Sequence, residues 1–230
     1  MSRLPLLLLH GALGAGAQFN DLIDVIGGLY DVHTLDLEGH GTSPLRDRPL
    51  RFEHFAENVI DYLDAHDLAA VAIFGHSMGG HLGLYLARFF PERVVAVFTL
   101  GTKFTWTPAI AEKEAALMVP QKIAQKVPQF ARLLQSRHTA AGWESLLAGM
   151  REMQAFIGQH NCLPDADLQA ISQRVRIGLG DRDRTSSIEE TVRVYRLFAK
   201  GELQIFPNTP HPLEKVSLRH LADALRDFLG

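Results

Sequence analysis

Short runs of branched apolar residues alternate along this chain with stretches in which apolar positions return every three or four residues. The first pattern suits strands buried on both faces, and the second suits amphipathic helices. Strands are expected at Leu4–Leu9, Tyr30–Leu35, Ala70–Phe74, Val94–Leu100, Val175–Leu179 and Leu203–Phe206. Between them Phe52, Phe55, Ala56, Val59, Ile60 and Leu63 share one helix face, as do Ile188, Thr191, Val192, Tyr195, Phe198 and Ala199. Leu218, Leu221, Ala222, Leu225, Phe228 and Leu229 predict a closing helix. The alternation implies the α/β class: a mostly parallel sheet of about six strands flanked by helices.

After Thr102 the alternation stops, and it resumes only near Gln173. The intervening stretch carries helical signals punctuated by Pro108, Pro120, Pro128 and Pro164. It reads as a helical insertion over 103–170, splitting a core made of 1–102 and 171–230. Thr107 is placed to cap a helix with Pro108 at its first position, and Val119–Pro120 is expected to end that helix. The insertion is too rich in Leu, Met, Phe and Trp for a disordered linker, so it is expected to cover something.

Charge narrows the partners. The 230 residues carry 23 Lys and Arg against 26 Asp and Glu, a net of −3 with no long run of one sign. That gives no electrostatic footprint for nucleic acid or an anionic membrane surface. No apolar stretch approaches the length of a membrane span, and Leu6–Leu9 is too short for the core of a signal peptide. A single cysteine, Cys162, excludes an intrachain disulfide and a cysteine-rich metal site. A cytoplasmic protein with no metal and no cofactor is the expectation.

Chemistry enters at Gly75–His76–Ser77–Met78–Gly79, which lies directly between a strand pattern and a helix pattern. A turn this sharp holds its serine in strained backbone geometry, and only small flanking residues let strand and helix pass so closely. Ser77 is then a nucleophile presented at a strand end. With it go Leu9–His10–Gly11–Ala12–Leu13–Gly14 at the end of the first strand and Asp36–Leu37–Glu38–Gly39–His40–Gly41–Thr42–Ser43 after the second. Gly180–Asp181–Arg182–Asp183 follows the fifth strand, and Phe206–Pro207–Asn208–Thr209–Pro210–His211–Pro212 follows the last.

Together these motifs resemble the α/β-hydrolases of the serine-nucleophile type with a helical cap after the fourth parallel strand, over nearly the whole length. The resemblance implies a triad of Ser77, Asp183 and His211, with Asp181 as the local rival for the acid, and oxyanion donors at the backbone N–H groups of Ala12 and Met78. His10 and His40 correspond to structural loop residues of the family and His76 to the variable position of the elbow, while His33, His54, His66, His160 and His220 read as surface or helix-face residues. A serine in place of an aspartate at the elbow separates the chain from the dehalogenases and epoxide hydrolases of this fold. Many members begin with an antiparallel hairpin that has no counterpart here, which puts one sheet edge in question.

The implied reaction is cleavage of a small or medium carboxylic ester, or a thioester, through an acyl-serine. The same triad also serves C–C bond hydrolases, lactonases, perhydrolases and lyases, and some proteins of this fold only bind ligands. Leu13, Lys103, Trp106 and Trp143 are the candidate substrate contacts, and the competing reading for each is packing, or for Lys103 a solvated loop. His138 is a weaker candidate of the same kind.

Overall fold

The computed structural model describes residues 3–230. In chain order the elements are β1 (Pro5–Leu9), α1 (Asn20–Ile26), β2 (Asp31–Thr34), α2 (Phe52–Ala65), β3 (Val71–His76), α3 (Met78–Phe89) and β4 (Val94–Leu100). Five helices follow: α4 (Pro108–Ala115), α5 (Pro120–Lys126), α6 (Pro128–Arg137), α7 (Trp143–Gln159) and α8 (Asp165–Gln169). The chain then closes with β5 (Arg174–Gly180), α9 (Ile188–Tyr195), β6 (Gly201–Phe206) and α10 (Leu218–Leu229). All six strands pair in parallel, in the order β2-β1-β3-β4-β5-β6.

Strand periodicity divides the core into two layers. Leu7 and Leu9 of β1, with Val71 and Ile73 of β3, pack against α2 and α3, whereas Leu6 and Leu8, with Ala72 and Phe74, pack against α1 and α10. β1 and β3 are therefore apolar on both faces and lack polar alternation, whereas the edge strands β2 and β6 are only partly buried and carry polar residues such as His33, Glu202 and Gln204. The strand order reverses between β1 and β3, so the chain leaves β1 toward one face and β3 toward the other. A crevice opens at their C-terminal ends, the place where open α/β sheets bind ligands.

Sequence and structure differ in the insertion. Thr107 caps α4 through a hydrogen bond from the Ile110 N–H, as expected, but α4 stops at Ala115, and Pro120 starts α5 instead of ending its predecessor. Pro128 likewise opens α6. Proline lacks the N–H that a first helical residue leaves unused anyway, so the same residue serves as a start as readily as a stop. The fourteen-residue α2 follows the expected stripe, while α9 ends at Tyr195 and leaves Phe198 packing from the following turn.

Candidate active site

Ser77 sits between β3 and α3 with φ 53° and ψ −115°, a left-handed conformation that only surrounding structure can hold in a non-glycine residue. Three contacts hold it. Its N–H donates to the Leu100 carbonyl (2.8 Å), the Thr102 hydroxyl donates to its carbonyl (2.9 Å), and Gly75 and Gly79 leave no room for a Cβ. A methyl on Gly75 would meet the Gly79 backbone, and one on Gly79 would meet the Leu9 carbonyl. The small residues of the motif are thus required by the crossing of β3, α3 and β1.

The strain at Ser77 predicts an inverse relation between stability and chemistry. Ser77→Gly is expected to be more stable than Ser77→Ala by about 1–2 kcal/mol, a rise of roughly 2–8 °C in Tm, because glycine takes this φ freely. Equal melting temperatures in the two variants would show that the elbow stores no such strain.

His211 lies in the loop after β6 and bridges two partners: its Nδ1 donates to Asp183 Oδ2 at 2.7 Å, and Ser77 Oγ donates to its Nε2 at 3.2 Å. Asp183 is buried, and its other oxygen accepts the Thr185 N–H (2.7 Å) and the Ser186 N–H (3.2 Å). Burial alone would raise its pKa, but the His211 hydrogen bond and charge, with these two amides, outweigh burial and hold the carboxyl below the usual range. Asp181, the rival, instead accepts from the Thr209 N–H (3.1 Å) and shapes the turn. The structure therefore brings Ser77, His211 and Asp183 into one line and leaves Asp181 outside it.

His76 is buried beside them, and its Nε2 donates to the His211 carbonyl at 2.9 Å. Burial, helped by the neighbouring His211 ring, pushes its pKa down to about 4, so it is a neutral strut for the His211 loop. Ala12 lines both spaces that reach Ser77, and Met78 follows Ser77 directly in the chain. Met78 is the first residue of α3, so its N–H has no acceptor within the helix and is free for an anion at the helix start. Ala12 precedes Leu13, whose φ of 59° turns the loop over the serine.

That loop is gripped from two sides. His10 Nδ1 donates to the Gly11 carbonyl (2.9 Å) and its Nε2 accepts the Leu37 N–H (3.1 Å). Asp36 accepts from the Gly16 N–H, the Thr42 N–H and the Thr42 hydroxyl at 2.8–3.0 Å. From the insertion, His138 accepts the Gly41 N–H (2.9 Å) and donates to the Leu13 carbonyl (3.0 Å), to which Arg137 also donates (2.9 Å). His138 is thus a buried strut that ties α6 to the loop, and not a side chain facing a ligand. Nothing in the spacing of the sequence distinguishes the two.

Two spaces meet at Ala12, Ser77 and His211. One is an inner cavity of about 230 Å³ beneath the insertion, lined chiefly by Phe52, Trp106, Met118, Met150, Met153 and Ile157. The other is an open groove of about 950 Å³ that runs past Leu13, Phe130, Leu133, Arg137 and Glu214. Trp106 and Lys103 line the cavity, and Leu13 lines the groove. Lys103 is neither solvated nor free: its ammonium is ion-paired with Glu114 and lies 5.5 Å from the Trp106 ring centre. Trp143 reaches neither space, because it packs inside the insertion on Ile123, Leu134 and Leu147. Helix α7 points that end of its apolar stripe at its neighbouring helices and its Met150–Ile157 end at the cavity.

Along with Glu114, Gln154 and Thr185, His81 is a lining residue that sequence reasoning missed. It lies one turn beyond Ser77 on α3, 4% exposed, with its ring stacked on Phe52. Burial pushes its pKa down to about 4, offset slightly by the Lys103 backbone carbonyl, which lies outside hydrogen-bonding geometry. A helix position four residues after the elbow serine was the available signal, since i and i+4 share a face.

A model of the alpha/beta hydrolase fold family matches residues 5–205. Esterase YbfF of Escherichia coli (strain K12) is 30% identical over 94 residues, 39% of this chain and 35% of that protein. The chain spans about a third of the length of the curated relatives it matches. Among solved structures, a thermophilic esterase from Thermogutta terrifontis superposes with a TM-score of 0.78 at 20% identity, covering 99% of this chain and 90% of that one. The enol-lactonase from Burkholderia xenovorans LB400 gives 0.78 at 16% identity over 100% and 92%. At these identities the two structures share the fold. No helix among the described residues is long and apolar enough to cross a membrane, and no group of three or more metal-binding side chains occurs among them.

Proposed function

The chain belongs to the alpha/beta hydrolase fold family, and from that premise we propose that it is a serine hydrolase cleaving a small carboxylic ester, or a thioester, through an acyl intermediate on Ser77. The observation that carries this reading is the alignment of Ser77 Oγ, the His211 ring and the Asp183 carboxylate at 3.2 and 2.7 Å. A serine hydroxyl is a poor nucleophile until a base removes its proton. Asp183 holds the Nδ1–H tautomer of His211, which leaves Nε2 as that base, and stabilises the imidazolium that follows. The oxyanion formed on attack is received by the N–H groups of Ala12 and Met78. His211 then protonates the leaving alcohol and later activates the water that frees the acid.

The two spaces divide the substrate between them. The inner cavity, below the roughly 300–1,000 Å³ of drug-sized sites, takes a short acyl group, and the open groove takes the alcohol. With p-nitrophenyl esters of rising acyl length, kcat/KM is expected to peak at about three to five carbons and to fall at least about tenfold by eight, once the chain outgrows the cavity. A rate that stays level or climbs through octanoyl would exclude the inner cavity as the acyl site.

A further inference from the structure

Residues Gly11–Gly14 form a β-turn that begins directly against the serine. The Gly14 N–H donates to the Gly11 carbonyl at 3.0 Å, and a Cβ on Gly11 would lie 3.2 Å from Ser77 Cβ. Ala12, the oxyanion donor proposed above, is the second residue of this turn, and Leu13, with its φ of 59°, is the third. A positive φ at the third position alone is the type II arrangement, which glycine favours and a bulky side chain resists. Such strain persists only where the surroundings enforce it. The core holds the residues on either side: His10 Nδ1 donates to the Gly11 carbonyl (2.9 Å), and the Ala15 N–H donates to Gln18 Oε1 (3.0 Å). At Leu13 itself the hydrogen bonds come from the insertion, Arg137 Nη1 and His138 Nε2 donating to its carbonyl at 2.9 and 3.0 Å. Its side chain packs both on the main core and on the insertion's cluster of Ile123, Leu134, Trp143 and Leu147. We propose that Arg137 and His138 are positioning residues for the oxyanion turn: by holding Leu13 in its strained conformation, the insertion keeps the Ala12 N–H where the developing oxyanion needs it.

The two donors are anchored differently. His138 is buried and fixed by the loop after β2, since its Nδ1 accepts the Gly41 N–H (2.9 Å) while the Thr139 N–H donates to the Gly41 carbonyl (3.0 Å). Arg137 stands in the wall of the open groove, and its Nη2 donates to Glu214 (3.1 Å), which also accepts from Gln18 Nε2 (2.6 Å). Removing Arg137 can therefore reach the chemistry by three routes: a lost contact to substrate in the groove, a loosened Glu214 in the segment that follows His211, or a released Leu13. Only the third depends on what residue 13 costs at positive φ. Glycine at that position takes the conformation without help, so it removes the need for the grip. An alanine there shortens the side chain as well but keeps the strain.

This inference rests on the acyl-serine reading above, and the test separates the two. Arg137→Met and Arg137→Gln each remove the guanidinium fork and keep most of the stem. On p-nitrophenyl butyrate each is expected to lower kcat by about 10- to 100-fold, with KM within about threefold of wild type. In a Leu13→Gly background, measured against that parent, the same substitutions should cost less than about threefold, whereas in a Leu13→Ala background the loss stays at about tenfold or more. A change confined to KM, a kcat within about threefold of wild type, or equal losses in the two backgrounds overturns the proposal. Amide hydrogen exchange on the free protein reads the turn without turnover. The Gly14 N–H, bonded across the turn to Gly11, is expected to exchange about tenfold faster or more in Arg137→Met, and an unchanged rate overturns the proposal. Undiminished hydrolysis by Ser77→Ala overturns the acyl-serine reading instead, while the Gly14 exchange still decides whether Arg137 holds the turn.

Discussion

Ser77→Ala is expected to lower kcat on a short p-nitrophenyl ester by about 10⁵-fold or more while leaving KM nearly unchanged. The substitution removes one oxygen whose single side-chain partner is His211 Nε2, and it keeps the Cβ, the Leu100 and Thr102 hydrogen bonds and the cavity wall. Binding therefore survives and bond-making does not. Asp183→Asn should cost about 10⁴-fold by a different route. Its Oδ1 would still accept the Thr185 and Ser186 amides, so its NH₂ would face His211 Nδ1. The ring must then carry its proton on Nε2 and cannot accept one from Ser77. Retention of more than about one-hundredth of wild-type turnover in either variant would overturn the acyl-serine reading.

What could be read from the sequence follows from how local each signal is. The strands and helices of the core were legible from periodicity, which burial on two faces imposes directly on the central strands β1, β3, β4 and β5 and more weakly on the edge strands β2 and β6. The serine elbow was legible because three helix and strand backbones cross there, and only glycine fits. Asp183 could be preferred over Asp181 only by resemblance, since both lie in one turn and the hydrogen bonds that separate them reach to Thr209 and His211. The insertion resisted most. Whether Trp143 or Trp106 lines a space depends on the register of short helices packed on one another, and their apolar stripes carry no mark of which neighbour they meet. His81 shows the same limit: its burial is set by Phe52 from a distant helix.

Acid should destabilise this protein well above the range in which carboxylates titrate. His10, His76 and His81 are buried and neutral, with pKa values pushed by desolvation from 6.5 to about 4. His40 and His138 are lowered for the same reason, further depressed by the charge of neighbouring histidines or Arg137. The unfolded chain takes up a proton at each of these positions as pH falls through 6.5, whereas in the folded chain His10, His76 and His81 resist until about 4, so stability falls across that window. At pH 5 the three histidines near 4 together cost about 6 kcal/mol relative to pH 7, comparable to the whole stability of an ordinary domain. Asp36 and Asp183 have the opposite dependence in a lower window: their folded pKa values lie below 3.8, so the stability they contribute is lost only as pH drops beneath that value. Glu57, Glu202 and Glu214, lowered from 4.5, have only begun to lose their contribution at pH 5, so a fall of several kcal/mol in unfolding free energy between pH 7 and pH 5, measured by urea denaturation, comes chiefly from the histidines. Stability equal at the two pH values within about 1 kcal/mol would mean that these rings are hydrated or charged in the folded protein, and that the struts under the Ser77 loop are not the dry, neutral contacts described.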